Sequence, residues 1–332
     1  MTERPPPSRL PLSALVHRFG IYCAVLVLVV TGAFLSPKFL TANNLLNTVD
    51  GVMLLGIVAV GAAFVTYSGH YADLSVPTTM AFSGVMAVEM LRFGFVPGLL
   101  AGLATGLVIG LLNALMIGKL RSNPIIWTLA MSYVTMGLMR WIWLNRQIYP
   151  DVKGGDTSAG RLFVDLYRHS VLGRVTLPMV VLVVLAVAGQ YLLKRTAFGQ
   201  QLKLVGSNQA MAAATGVNVP RTVGAAFLLS SLAASAGGIL ITSLSKVGAY
   251  YNGEGYDFDA VTAIVIGGVT LAGGRGDIIG VLGGVLMLGL MSNIMTLMGV
   301  DTFAQRIVKG LVFIAVVGVS AAVARQLGRD DA

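Results

Sequence analysis

Residues able to do covalent or metal chemistry are few and scattered. His17, His70 and His169 lie far apart, and Cys23 is the only cysteine, so neither a metal cluster nor a disulfide framework is expected. No G-x-x-x-x-G-K-[ST] loop is present. The cluster Gly273-Gly274-Arg275-Gly276 lacks the Lys-Ser/Thr ending that would cradle nucleotide phosphates. No nucleophile stands beside a base, and no run of apolar-embedded carboxylates suggests a proton relay. Isolated hydrogen-bonding groups within or beside apolar runs remain: Asp73, Ser75, Thr78, Asn113, Thr128, Asp257, Thr262 and Asn293. Their chemistry is the replacement of water around a polar solute. Each also has a structural reading. Asn113 and Asn293 can serve as glue between helices, and Thr78 and Thr262 can bond back to their own preceding turns.

The elements that must position these groups are membrane helices. Of 332 residues 56% are hydrophobic and 11% charged, against about 25% charged in soluble domains. About 20 apolar residues are needed to cross a bilayer. Such runs occur near 19–35, 52–68, 76–91, 97–117, 125–144, 175–193, 222–243, 258–273, 278–298 and 307–324. The expectation is an all-α polytopic membrane protein of about ten transmembrane helices, the third and eighth of them short. A basic, Pro-rich leader (1–18) with no cleavage site precedes the transmembrane body (19–324), and a short tail (325–332) follows it.

Charge orients the stack. With the N-terminus inside, the inner segments hold twelve Lys/Arg. The outer ones hold four, once the long loop 145–174 is set aside. Both termini are therefore expected on the cytoplasmic side. The net charge of +9 lies at the ends of apolar runs, where lipid headgroups rather than nucleic acid would meet it.

Small residues mark packing and breaks. Gly102, Gly106 and Gly110 form a four-residue ladder, as do Gly280 and Gly284, which suits close helix approach. Pro77 and the Gly267-Gly268 pair are helix breakers in the short third and eighth spans. Asp73, Thr78 and Gly84 align without gaps to Asp257, Thr262 and Gly268, which suggests an inverted repeat of spans two to five and seven to ten. Such repeats place a substrate path between the halves, along their interrupted helices.

The loop 194–221 carries a further signal. Ser207 or Asn208 can cap a helix over QAMAAAT (209–215), and Gly216 can end it in a left-handed conformation. The stretch GSNQAMAAATGV (206–217) is similar to the G-x-N-x-x-A-A-x-x-x-G-[IV] loop of ribose/xylose/galactose-type ABC importer permeases. Three other segments resemble the same family in order. SGHYADLSV (68–76) resembles S-G-G-I-D-L-S-V-G. The segment 110–138 has Asn113, Pro124, Thr128 and Leu129 in place. The segment 256–284 resembles the family's E-L-x-A-I-A-A-V-V-x-G-G-x-x-L-x-G-G-x-G-[ST] block. His70, Pro77 and Asp257-Phe258 depart from the pattern along the expected substrate path.

The resemblance implies a non-catalytic inner-membrane permease working by alternating access. Gly206, Asn208, Ala212, Ala213 and Gly216 would form a coupling helix for a cytoplasmic ATPase subunit, which itself binds ATP and Mg. Further implied partners are a periplasmic sugar-binding protein and a second permease copy or homologue. The solute would be a monosaccharide or related polyol. Alternatives are a modified sugar, a nucleoside or a furanone-type signal in the same importer class. An ion-driven carrier is disfavoured because Glu89 and Asp259 are the only plausible acids near spans.

Overall fold

The structure is a computed structural model that describes residues 12–150 and 157–330. The helices are α1 (Leu12–Leu35), α2 (Ala42–Tyr67), α3 (Val76–Met90), α4 (Phe95–Asn113), α5 (Pro124–Ile142), α6 (Thr157–Asp165), α7 (Leu177–Arg195), α8 (Ala197–Ser207), α9 (Gln209–Ala214), α10 (Val219–Ser245), α11 (Tyr256–Ile266), α12 (Ile278–Leu297) and α13 (Thr302–Asp330). A small antiparallel pair, β1 (Ser170–Leu172) and β2 (Val175–Thr176), precedes α7. The chain is an all-α polytopic membrane protein. Among the described residues 6 helices are long and apolar enough to cross a bilayer: α2, α4 with its π-helical extension Ala114–Lys119, α5, α7, α10 and α12.

Each expected apolar run lies on a helix, with several differences at the ends. The leader was expected to stop at residue 18, yet α1 already begins at Leu12; residues 1–11 lie outside the described residues. Helix α13 runs through most of the expected tail to Asp330, and residues 331–332 also lie outside. The eighth span was expected to reach 273, but α11 stops at Ile266. Gly267 caps it, and Gly268 turns the backbone to φ +86, a left-handed conformation open to glycine at little cost. The segment between α5 and α7 holds α6 and the β pair, which polar, non-periodic sequence did not reveal.

Helices α2 and α10 form the centre. Gly61 of α2 lies so close to α10 that a Cβ there would be 2.3 Å from the Ala233 Cβ. Helices α3 and α4 pack on α10, and α11 and α12 pack on α2. Helix α5 packs on α3, and α13 packs on α11. The two glycine ladders sit at these crossings. A Cβ on Gly102 would lie 2.8 Å from the Ser83 carbonyl oxygen, and one on Gly106 2.4 Å from the Ser235 Cβ. One on Gly110 would be 3.0 Å from the Ser231 Cβ, and one on Gly280 2.2 Å from the Gly267 oxygen. In bilayer hydrocarbon such contact replaces the hydrophobic drive between helices.

Gly284 is the tightest of the ladder glycines, with 2.0 Å between a built Cβ and the Ala263 carbonyl oxygen. Gly284→Ala is expected to destabilise the α11–α12 pair by about 1–3 kcal/mol, the usual cost of overpacking. The lowered midpoint should appear in a thermal melt of the solubilised chain. Gly137→Ala, where nothing lies within 4 Å, should melt like the parent.

Loops segregate to two ends of the bundle. His70 touches Gln209, Gly118 approaches the Pro220 oxygen, and Gly274 bonds to Tyr67, so segments 68–75, 118–123, 196–218 and 267–277 share one end. At the other, Ile148 pairs with Gly248, Asn44 with Asn293, and Arg306 with Glu254.

Candidate functional site

The end that carries α8 and α9 holds most of the expected site residues. Asp73 is 3% exposed in the irregular segment between α2 and α3. Its Oδ1 accepts from the Ser75 N–H at 3.0 Å and the Ser75 hydroxyl at 2.5 Å, and its Oδ2 accepts from Ser230 of α10 at 3.0 Å. Asn113 donates to Ser75 Oγ at 2.9 Å, and its own oxygen accepts from the Trp127 indole at 3.0 Å. Thr128 Oγ1 accepts from the Leu74 N–H at 3.1 Å, and Ser132 donates to the Leu74 carbonyl at 2.6 Å. Thr78 donates to the Ser75 carbonyl at 3.1 Å.

Asp73, Ser75, Thr78, Asn113 and Thr128 therefore form one buried network. It ties the start of α3 to α4, α5 and α10. Irregular backbone buried in a helical bundle persists only where protein or water satisfies it, and these side chains supply that satisfaction. Pro77 stands in the first turn of α3, where its missing N–H costs nothing. It begins the helix rather than breaking it.

Helices α8 and α9 lie outside this network. Only one helix was expected in 194–221; the structure has two, with Thr196 capping α8. Asn208, rather than Ser207, caps α9, accepting from the Met211 N–H at 3.0 Å. Ser207 instead donates to the Lys203 carbonyl. Gly216 follows α9 at φ +83, the left-handed residue that ends it. Ala212 faces inward at 1% exposure, whereas Ala213 is exposed and Met211 is 66% exposed. Gly206 also faces inward, since a Cβ there would lie 2.1 Å from the Tyr67 oxygen. It is a close-packing residue under the helix and not part of its outer surface.

His70 joins α9 to the buried network's loop. Its Nδ1 bonds with the Ser68 hydroxyl at 2.8 Å, its Nε2 lies 3.4 Å from the Gln209 amide nitrogen, and its ring meets Phe227 edge-on. Burial pushes the imidazole's pKa down, with the Ser68 carbonyl opposing the shift.

The remaining site residues lie elsewhere. Asn293 exchanges two 2.9 Å hydrogen bonds with Asn44, so the two amides clasp α12 to α2. Thr262 bonds to the Phe258 carbonyl at 2.7 Å within its own helix. Asp257 lies half-buried in the first turn of α11. Beside these, a cleft of about 300 Å³ opens between α2, α11, α12 and α13, lined in part by Asn47, Tyr256, Asp259, Ser292, Asn293 and Lys309. Lys309 and Asp259 pair at 2.7 Å across it. Sequence reasoning missed Ser132, Ser230, Asn44 and Trp127. Ser132 and Ser230 announce themselves only as polar residues in apolar runs, and nothing local identifies their partners.

The whole-chain comparison decides the class. The family described as "Branched-chain amino acid transport system / permease component" matches residues 44–317. The chain belongs to this permease family. Among its relatives, the ribose import permease protein RbsC of Bacillus subtilis (strain 168) is 34% identical over 93% of this chain and 94% of its own. The L-arabinose ABC transporter permease protein AraH of Azospirillum brasilense is 34% identical over 89% of this chain and 85% of its own. The Escherichia coli (strain K12) RbsC is 33% identical over 89% and 90%. No solved structure matches the chain. As a permease component, the chain is a transport subunit of a multi-pass membrane system.

Proposed function

We propose that this permease is the membrane subunit of an ATP-binding-cassette importer that carries a pentose or similar monosaccharide across a bacterial inner membrane by alternating access. The observation that carries the reading is the near end-to-end similarity to permeases named for ribose and arabinose. The family description names branched-chain amino acids, but these relatives favour a polyol. The cleft beside Tyr256 suits one, with amide, hydroxyl and carboxylate groups around an aromatic ring. An ion-driven carrier fits less well. Glu89 accepts from the Trp143 indole and pairs with Arg92, and Asp259 pairs with Lys309, so neither acid stands free as a proton carrier.

In this reading α9 is the coupling helix for a cytoplasmic ATPase. A binding protein delivers solute at the opposite end, and a second permease completes the assembly. The ten helices α1–α5, α7 and α10–α13 cross the membrane, with both termini inside. The inverted repeat is supported by reciprocal packing. Exchanging α2–α5 for α10–α13 turns the α3–α10 and α4–α10 contacts into α11–α2 and α12–α2, and α3–α4 into α11–α12.

The functional test is uptake by the complex reconstituted with the ATPase and binding protein from neighbouring genes. ATP-dependent accumulation of ribose, arabinose, xylose or galactose is expected. Leucine uptake without sugar uptake would replace the polyol by an amino acid. Orientation is tested in a Cys23→Ser background. Val171→Cys should react with an impermeant maleimide from the periplasmic side, and Met211→Cys should not. The opposite pattern would invert the assembly.

A further inference from the structure

The glycine cluster around Arg275, which cannot bind nucleotide as a P-loop, forms one wall of a second cleft. About 480 Å³ in volume, it opens at the end that carries α8 and α9, where α2 and α7 finish and α12 begins. Lys194 at the end of α7, Lys203 on α8 and Arg275 all line it. Gly274 and Gly276 hold positive φ of 75 and 117, and the Gly274 N–H bonds to the Tyr67 carbonyl, so the bend is fixed against α2. Asp277 is an acid beside it. Its Oδ1 caps α12 through the Gly280 N–H at 2.8 Å, and its Oδ2 lies 3.7 Å from Lys194. Lys203 and Arg275 have no side-chain hydrogen bond or ion pair among the described residues. Three cations thus face one partly committed carboxylate, and two of them lack a counterion.

A second feature says what kind of anion belongs there. Val184, Val187 and Tyr191 recur on α7 at three- and four-residue spacing, the spacing of one helix face, and are 58%, 65% and 61% exposed. Three residues on, the same stripe reaches Lys194. A bare apolar stripe leading through a tyrosine to a cationic cleft is complementary to a molecule with an acyl chain at one end and a phosphate at the other. Tyr and Lys are the side chains that membrane proteins place at headgroup depth. Basic pockets between helices at the membrane edge recognise anionic headgroups.

We infer that the cleft of Lys194, Lys203 and Arg275 binds the phosphate of an anionic glycerophospholipid, whose acyl chain lies along the Val184–Val187–Tyr191 stripe of α7. The lipid would brace α7 against α8, at the base of α9. The inference stands on the cleft and the stripe, and does not depend on the transported solute.

The test uses the purified full-length permease in nanodiscs, read by native mass spectrometry. The probes are dioleoyl-phosphatidylglycerol, dioleoyl-phosphatidylcholine and inorganic phosphate. Wild type should retain one phosphatidylglycerol in preference to phosphatidylcholine. Lys203→Gln and Arg275→Gln should each weaken retention about fivefold and the double variant about 25-fold, since a cation beside an anionic headgroup contributes about 1 kcal/mol. Lys203→Arg should keep the lipid. Lys119→Gln with Arg121→Gln removes two cations at the same end but outside the cleft, and should change nothing. Equal retention of phosphatidylcholine, or undiminished phosphatidylglycerol in a monodisperse double variant, would overturn the site. Displacement of the lipid by millimolar inorganic phosphate would overturn the lipid assignment in favour of a free anion. Because the readout is binding, it stays interpretable whether or not sugar uptake is observed.

Discussion

Ala213→Arg is expected to abolish ATP-driven uptake while leaving the chain in the membrane at the parent level. Neighbouring alanines of α9 differ in exposure. Ala212 is buried, whereas Ala213 is exposed, as is Met211. The helix is fixed from both ends, by the Asn208 cap and by Gly216 in the left-handed conformation. An arginine at 213 therefore costs little in the free permease, where water receives the guanidinium. Against a docked ATPase the same group would be desolvated with no partner, a cost of several kcal/mol. Each 1.4 kcal/mol is a tenfold loss of affinity, so co-purification of the ATPase should fall at least a hundredfold. Ala212→Arg should behave differently. It forces a charge beneath the helix and should reduce the amount of folded permease itself. Uptake and ATPase co-purification at wild-type levels in Ala213→Arg would remove α9 from the coupling role.

The contrast between 212 and 213 shows how far sequence reaches. The cap, the short alanine-rich helix and the terminating glycine are all local, set within a few residues by hydrogen-bonding geometry. They were legible as a pattern, although the choice between Ser207 and Asn208 was not. Gly206 belongs to the same sequence motif, but its reason is the Tyr67 carbonyl 139 positions earlier, and only the folded chain brings them together. Helix α8 was missed because TAFGQQLKLVGS carries two glycines and no acidic start, so its local signals are weak.

The same division runs through the apolar runs and their polar residues. Hydropathy located every long helix, since lipid imposes it over about 20 residues at a time. It could not separate α11 from its trailing loop, because Val269, Leu271 and Ala272 are as apolar as the helix before them. Thr262 bonds within its own turn, the structural reading that local spacing allowed. Asn293 needed Asn44, which lies 249 residues away. Partners at that distance are fixed by topology, and no local composition encodes them.

Asp73 is where this matters most, and Asp73→Ala is expected to cost the permease its fold. The carboxylate accepts from the Ser75 N–H, the Ser75 hydroxyl and the Ser230 hydroxyl, the last from a helix 157 residues away. Alanine leaves these buried donors without an acceptor, at about 1–3 kcal/mol each. Water cannot reach a site that is 3% exposed without disturbing its packing. The Ser75 hydroxyl would also lose the orientation in which it receives Asn113. Summed over the donors, the loss approaches the 5–15 kcal/mol by which whole proteins are stable. The variant should therefore be nearly absent from the monodisperse peak in fluorescence-detected size exclusion. Asp73→Asn separates scaffolding from solute contact. Its amide oxygen can still accept from Ser75, and its NH₂ can donate to Ser230 once that hydroxyl rotates. The asparagine variant should fold and retain most uptake. A well-folded Asp73→Ala would refute the structural role. A well-folded Asp73→Asn that binds its partners but does not transport would put the carboxylate in the solute's path.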